Sequence, residues 1–339
     1  MGKSLNARPN TARPGWAARL FRGFTSAGNA ASTVAPAPSR TPSSTMGSQV
    51  RGVARQLIAN DRYAFVLLKE AAESISETDA EGAWTSIGRQ MALIPAGTVP
   101  VVLSSGEVAP TTMPAYYLDR YAVTNRQYQR FVESGGYDSL EIWPREIWPS
   151  LMKFVDRTHR PGPRDWENGR FSTAKADHPV VGICWYEAAA YAAWIGKRLP
   201  SSAEWQKAGG WPEQMSGGTC TRYPWGDVFE PKRANLGGAG TRTTQPVTAH
   251  PDGATPNGIY QMTGNVWEWL SDRLDTIPCH RDETFVSTKP MRRIVGGSFD
   301  TYFPAESTNQ FVTGQPELDR RDNIGFRCAV HVSRLRCRN

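Results

Sequence analysis

Several features of membrane, zinc and redox proteins are missing from this chain of 339 residues. No apolar run approaches the roughly 20 residues that a membrane-spanning helix needs, which excludes such a span. No two cysteines have C-x-x-C spacing, which excludes a zinc or redox site of that kind. No histidine precedes His159, and no acidic residue precedes Asp61. The sequence also has no internal repeat and no coiled-coil heptad pattern.

Cysteine is scarce and irregularly spaced, with five positions in the whole chain. An odd number without regular spacing favours a reducing compartment. No Sec-type apolar core is present, and we expect a cytoplasmic location. Cys184 is expected to be buried as a small hydrophobe. A disulfide between Cys220 and Cys279, or between Cys328 and Cys337, remains an alternative.

Residues 1–48 form a basic, low-complexity tail. The formal net charge of the chain is +7, and eight basic side chains precede the first acidic one. The tail is rich in Ala, Ser, Pro, Thr and Arg, a composition that cannot bury enough apolar surface, so we predict that it is disordered. Its Arg-rich, acid-free character also fits a transit peptide. A third alternative is an arm that binds an acidic partner, either protein or nucleic acid.

Residues 49–88 are predicted to form a helical segment and a linker. An apolar stripe at helical spacing runs through residues 50–76, and Ala80–Trp84 is expected to be the linker. We expect the helix to pack on the main domain or to mediate assembly into an oligomer. The stripe consists of Val53, Leu57, Ala64, Leu67, Leu68 and Ala71.

Residues 89–332 are predicted to form one large domain, followed by a short tail at 333–339. The chain contains 31 Gly and 25 Pro, which indicates many turns and loops. It also contains 12 Trp, and such large aromatic side chains can anchor a domain that is poor in regular structure. The apolar pattern predicts a buried strand over 180–185 and a helix over 186–194, and strands are expected to begin at Met91.

Ordered sequence blocks in this domain are similar to those of a known family. Together they resemble the signature of the formylglycine-generating enzymes, or sulfatase-modifying-factor domains, which are a branch of the C-type-lectin-like fold. The resemblance runs over residues 91–330 and implies an α+β, loop-rich architecture. The main blocks are Tyr121–Asn125, His178–Gly182, Lys197–Ser201, Asn257–Trp269, Gly296–Phe299 and Asn323–Arg327.

The resemblance implies a metal-dependent chemistry, but the metal-binding residues that this chemistry requires are absent from the sequence. Formylglycine-generating enzymes use copper held by two cysteines after the Gly-Gly-Ser block, and the equivalent positions are Thr301 and Glu306. Neither side chain supplies the thiolate that suits copper(I). A second branch, the iron-dependent sulfoxide synthases, uses a histidine cluster on an N-terminal helical domain, whereas the five histidines here are dispersed from His159 onward. We therefore expect neither copper nor iron, and a pseudoenzyme rather than an enzyme.

A structural calcium ion is a further implication of the resemblance. In the family it is held by hard oxygen ligands near the Gly-Asn-x-Trp-Glu block. Carried over to this chain, the ligands are the backbone carbonyls of Gln261, Gly264 and Val266 and the carboxylate of Glu268. The alternative for Glu268 is a buried carboxylate that accepts hydrogen bonds from backbone amides.

The segment 299–322 occupies the position of the binding face of the lectin fold. Its Tyr and Phe offer rigid contact area and its Ser, Thr and Asn offer adaptable hydrogen bonds, as in antibody loops. The layout also resembles variable proteins diversified by retroelements, which use this domain as a ligand-binding scaffold. We expect a ligand to contact Phe299, Asp300, Thr301, Tyr302, Phe303, Ser307, Asn309, Phe311, Thr313, Arg320 and Asp322.

Three functional hypotheses follow from these patterns. The first is a non-catalytic protein that binds a protein or glycan ligand through residues 299–322. The second is a metal-dependent oxidoreductase of the same family with a different metal site. The third is a structural component that docks into an assembly through its basic N-terminal region.

Overall fold

The computed structural model describes residues 44–103, 107–210, 220–238, 241–274, 277–278, 284–285 and 289–338. The predictions made for residues 1–43, which concern disorder, targeting and an acidic partner, lie outside these ranges. Residues 44–48 differ from the predicted tail, because the first helix begins at Ser44.

The segment predicted as one helix over 50–76 is divided. Helix α1 spans Ser44–Ala59 and helix α2 spans Tyr63–Leu67. Between them Asp61 has a left-handed backbone with φ of 61°, which a right-handed helix cannot continue through. A 3-10 helix, Lys69–Ser74, follows α2. The prediction of a single helix is therefore wrong, although the segment is helical.

The predicted linker at Ala80–Trp84 is also wrong, because it lies inside helix α3, Glu77–Gln90. Ser76 caps this helix, since its hydroxyl oxygen accepts a hydrogen bond from the Asp79 N–H at 3.3 Å. Such a cap satisfies an N–H that has no partner within the helix. Ala80, Ala83 and Trp84 of the expected linker instead form part of the buried face of α3.

The three N-terminal helices pack on the main domain. Leu67 and Ile87 share one apolar cluster with Leu335 near the end of the chain. A buried lysine on the domain, Lys197, donates a hydrogen bond to the Tyr63 hydroxyl at 2.8 Å. Apolar burial and a polar contact therefore both attach the helices to the domain.

Eleven β-strands are found in the described ranges. The expected strand at Met91 is confirmed as the first of them. The strands are β1 Met91–Ile94, β2 Gly97–Val102, β3 Val108–Met113, β4 Tyr116–Asp119, β5 Trp267–Arg273, β6 Ile277–Pro278, β7 Thr284–Phe285, β8 Met291–Val295, β9 Val312–Pro316, β10 Ile324–Gly325 and β11 Ala329–His331.

These strands form two small sheets and two hairpins. The first sheet has the order β1-β4-β11 and is antiparallel throughout. The second has the order β10-β5-β8-β9, in which β10 runs parallel to β5 and the other pairs are antiparallel. Strands β2 and β3 pair with each other, as do β6 and β7.

Helices of the main domain stand between the strands in sequence. They are α4 Asn125–Glu133, α5 Trp148–Leu151, α6 Trp185–Trp194 and α7 Ser202–Gly210. Helix α6 confirms the helix predicted over 186–194. The remaining 3-10 helices in the described ranges are Leu140–Ile142, Arg145–Ile147, Thr173–Lys175, Pro231–Arg233, Pro251–Gly253, Pro304–Ser307 and Val332–Arg334.

The buried strand predicted over 180–185 is not a strand. The chain there is buried, but only the neighbouring Pro179 makes a β-bridge, to Thr124. Gly182 has a φ of 73°, and its N–H donates to the carbonyl of Arg321 at 2.8 Å. This left-handed residue turns the chain out of an extended ladder, so the buried segment does not form a strand.

Aromatic packing dominates the core. Tyr128 stacks on Tyr191 with ring centroids 5.3 Å apart, and Phe131 meets the same ring edge-on at 5.8 Å. Cys184 lies in this cluster and is fully buried, as predicted. The Cys328–Cys337 alternative is wrong, because both thiols are free. For the Cys220–Cys279 alternative, Cys220 is free and Cys279 lies outside the described residues.

Long loops connect most of these elements, so the mixed and loop-rich architecture is confirmed. Within the described part of the chain, no helix is both long and apolar enough to cross a membrane.

One buried ion pair joins two of the sequence blocks that indicated the fold, Asn257–Trp269 and Asn323–Arg327. Arg327 donates to the two carboxylate oxygens of Glu268 at 2.6 and 2.7 Å. The Trp205 indole donates to the same carboxylate at 3.0 Å. Arg327 also donates to the carbonyls of Asp119 and Tyr260 at 3.1 and 2.8 Å. The pair therefore connects both sheets, helix α7 and the loop before β5.

We predict that Arg327→Met destabilises the protein by about 3–5 kcal/mol, because it leaves a buried carboxylate without its cation. The double variant Glu268→Gln, Arg327→Met should recover part of this loss. Urea unfolding followed by tryptophan fluorescence measures both. The control is Arg126→Met, whose partner Asp177 is 64% exposed, and we expect a change below about 1 kcal/mol. An equally small change for Arg327→Met would contradict the prediction.

Candidate functional site

The predicted binding segment is only partly exposed. Tyr302 and Phe303 are 59% and 68% exposed, and Asp300 and Asp322 are exposed as well. The half-buried members are Phe299, Phe311 and Thr313. These seven of the predicted residues can still meet a ligand without rearrangement.

Three other predicted contact residues are buried, so their assignment to the ligand is wrong. Thr301 Oγ1 accepts a hydrogen bond from the Ser298 N–H at 3.0 Å. Ser307 Oγ donates to the carbonyl of Pro304 at 2.9 Å, and Asn309 Nδ2 donates to that of Thr221 at 3.0 Å. Their polar groups hold the loop together. A turn and the 3-10 helix Pro304–Ser307 direct these side chains inward.

Arg320 is also a structural residue rather than a ligand contact. Its guanidinium pairs with the fully buried Glu187 at 2.8 Å, and its Nη1 donates to the carbonyl of Val155 at 2.9 Å. Tyr137 donates to the same glutamate at 2.6 Å. The side chain is 11% exposed, because it neutralises a charge in the aromatic core.

A cleft of about 700 Å³ opens beside the predicted segment, and both Phe299 and Asp322 line it. The remaining wall comes from loops that sequence reasoning did not select. These loops are far apart along the chain and share no motif, so no sequence signal could have identified them as parts of one site. The charged and aromatic lining residues from these loops are Arg157, Asp165, Trp166, Glu167, Arg170, Phe171, Lys175 and Arg242.

The charges in the cleft are unevenly paired. Arg157 lies 3.6 Å from both Asp165 and Glu167. Within the described residues no ion pair involves Arg170, Lys175, Arg242 or Asp322. Three cations and one carboxylate are thus available to a ligand.

The wall of the cleft is aromatic and internally ordered. Trp166 donates its indole N–H to Asn125 Oδ1 at 3.0 Å and meets Phe171 edge-on at 5.5 Å. Thr244, another lining residue, lies 3.0 Å from His178 Nδ1 through its hydroxyl. Burial, followed by the nearby charge of Lys175, lowers the pKa of His178. A neutral imidazole therefore stands behind the cleft at neutral pH.

The residues do not fit the family's copper centre. Thr301 is buried in its loop, and Glu306 is a half-buried carboxylate, so neither of the two positions offers sulfur to copper(I). Across the described ranges, no three or more His, Cys, Asp and Glu side chains are grouped as a metal site would require.

The predicted calcium ligands do not fit either. Glu268, the set's only carboxylate, already accepts hydrogen bonds from Arg327 and from the Trp205 indole. These hydrogen bonds come from side chains, whereas the alternative prediction for Glu268 is a carboxylate that accepts hydrogen bonds from backbone amides. Gly264 offers its carbonyl to the N–H of Val266 at 3.0 Å. A calcium ion would have to compete with a buried guanidinium for its one charged ligand.

Comparison with known proteins places the chain in a family. Residues 77–332 match the sulfatase-modifying factor enzyme 1-like domain. The chain is 30% identical over 363 residues to the formylglycine-generating enzyme of Bos taurus, and the match covers 92% of this chain and 91% of that protein. The chain therefore belongs to the formylglycine-generating enzyme-like family, as the sequence blocks indicated.

Other similarities cover less or show the fold alone. Hercynine oxygenase of Mycobacterium tuberculosis is 39% identical over 176 residues, covering 49% of this chain and 40% of that protein. The chain thus spans about two fifths of that relative's length. The crystal structure of CarF aligns with a TM-score of 0.52 at 19% identity, covering 72% of this chain and 98% of that one, which supports the fold.

We predict that millimolar calcium leaves the melting temperature unchanged, because Arg327 occupies the only carboxylate of the assigned site. Differential scanning fluorimetry with calcium, with magnesium as a matched divalent control and with EGTA tests this. A melting temperature that rises and saturates with calcium, but not with magnesium, would restore the calcium assignment.

Proposed function

We propose that this protein is a non-catalytic ligand-binding member of its family, and that it recognises a protein or glycan through one face. The face consists of the exposed aromatic pair Tyr302 and Phe303 together with the adjoining cleft beside Phe299 and Asp322. The observation that carries the proposal is a face that is open and partly aromatic. It lies on the loop in which Thr301 and Glu306 occupy the positions of the family's copper ligands.

The exposure of the aromatic pair supports this proposal. Burying a Tyr or Phe side chain stabilises a fold, so two neighbouring exposed rings forgo that gain. Exposed aromatic side chains are enriched at interfaces, where they anchor binding. The buried neighbours Thr301 and Ser307 hold the loop that presents the rings, and a preorganised loop loses less entropy on binding.

The second candidate is the oxidoreductase. It is favoured by the relatives, which carry the names formylglycine-generating enzyme and hercynine oxygenase. The same site opposes it, because the family's thiolate positions hold no sulfur. The assembly role, in which the basic tail and the helical segment 50–76 dock, stays a prediction from the sequence, and so does the retroelement-diversified variable protein.

We predict that Tyr302→Ser and Phe303→Ser each weaken ligand binding about tenfold or more, which corresponds to loss of an aromatic anchor. The purified protein and both variants are applied to a printed array of defined oligosaccharides and peptides. The affinity for each retained ligand is then measured by surface plasmon resonance.

The matched control is Val108→Ser, which changes a 68%-exposed apolar side chain on the β2–β3 hairpin. It should leave the binding profile unchanged. The proposal fails if the aromatic variants give the same profile as the unaltered protein.

A further inference from the structure

We propose that the cleft binds an anionic saccharide, whose sulfate or carboxylate group is held by Arg170, Lys175 and Arg242. This inference rests on the proposed binding function and names its ligand class. It concerns the part of the face that the sequence did not predict.

The three cations reach one cleft from different parts of the chain. Arg170 precedes Phe171 in one loop, Lys175 lies in the 3-10 helix Thr173–Lys175, and Arg242 follows the glycine-rich turn after Leu236. No ion pair within the described residues neutralises them. Like charges brought together repel one another, and an anionic ligand would remove that cost. Guanidinium groups also give directional, charge-assisted hydrogen bonds to oxyanions.

Nearby acidic residues leave the cations available. Asp165 and Glu167 also line the cleft, but both lie beside Arg157. Asp322 is the remaining acid. Three available cations and one carboxylate suit a ligand that carries a few negative charges. Such a ligand should also have hydroxyl groups that donate hydrogen bonds to the Asp322 carboxylate.

Backbone conformation supplies an independent observation. Asn168 and Arg242 both line the cleft, and each has a φ of 55°. At Asn168 this conformation belongs to the Asn-Gly turn that Glu167 and Arg170 close with two backbone hydrogen bonds. At Arg242 a left-handed backbone is uncommon, and such conformations cluster at ligand-binding sites.

The lining favours a saccharide over an extended peptide. Most small-molecule pockets are predominantly apolar, whereas this one has many polar groups, including Ser172, Thr243 and Thr244, that suit a hydroxylated ligand. The half-buried rings of Phe171 and Phe299 offer apolar surface for a sugar ring. None of the lining residues belongs to a β-strand, so the cleft offers no strand edge for a peptide to extend.

Isothermal titration calorimetry on the full chain tests the inference. The probes are a sulfated disaccharide derived from heparin, its desulfated counterpart, a neutral disaccharide and a glutamate-rich peptide. The desulfated heparin disaccharide retains its carboxylate, so the first two arms distinguish a sulfate from a carboxylate source. We expect the anionic saccharides to bind at least tenfold more tightly than the neutral one, and to weaken between 50 and 200 mM salt because the contact is ionic.

Variants locate the binding. Arg170→Gln and Arg242→Gln should each weaken the anionic saccharide about tenfold or more, because each removes a charge-assisted hydrogen bond. Arg89→Gln, on the exposed face of α3, is the matched control and should change nothing.

The outcomes separate this inference from the proposed function. Equal affinity for neutral and anionic saccharides, or no effect of the arginine variants, overturns the anionic ligand class while binding through Tyr302 and Phe303 stands. Binding of the acidic peptide alone overturns the saccharide. If every array and titration probe fails to bind, both the inference and the proposed function fail.

Discussion

The fold depends on a buried ion pair between Glu268 and Arg327. Arg327 is fully buried, and isolated charges in an apolar core are unstable unless every one is paired and hydrogen-bonded. The pair meets this requirement by collecting partners from several elements, including the Trp205 indole and the carbonyls of Asp119 and Tyr260. Two of the sequence blocks that identify the family, Asn257–Trp269 and Asn323–Arg327, therefore meet at one guanidinium.

This arrangement separates the scaffold from its surface. Glu268 lies in β5 and Arg327 lies between β10 and β11, whereas the loops at 299–306 and 157–175 carry the exposed aromatic pair and most of the cleft. Copper ligation in the family needs two side chains on one of these loops, and replacing them with Thr301 and Glu306 leaves the ion pair untouched. A fold can thus persist without the chemistry of its relatives, which is why family membership alone assigns no activity here.

The features predicted correctly from the sequence are those that depend on local apolar spacing or on the ordered sequence blocks of the family. Helix α6 follows from its apolar spacing, and the architecture follows from the ordered motifs. It did not predict the break at Asp61, which depends on one left-handed residue, or the lack of a strand at 180–185, where burial was not accompanied by pairing. The candidate site was half predicted. Alternating exposure within 299–322 arises from a tight turn and a 3-10 helix, and the cleft joins loops that are far apart in sequence.

The central claim is that this family scaffold binds a ligand without redox metal chemistry. The most direct test is to measure copper and iron by mass spectrometry in protein purified without added metal, together with dioxygen consumption in the presence of cysteine-containing peptides. The formylglycine-generating enzyme of Bos taurus serves as the positive control. Our account predicts no stoichiometric copper or iron and no oxygen uptake above background. Stoichiometric copper or iron accompanied by peptide-dependent oxygen uptake would contradict it and identify an oxidoreductase.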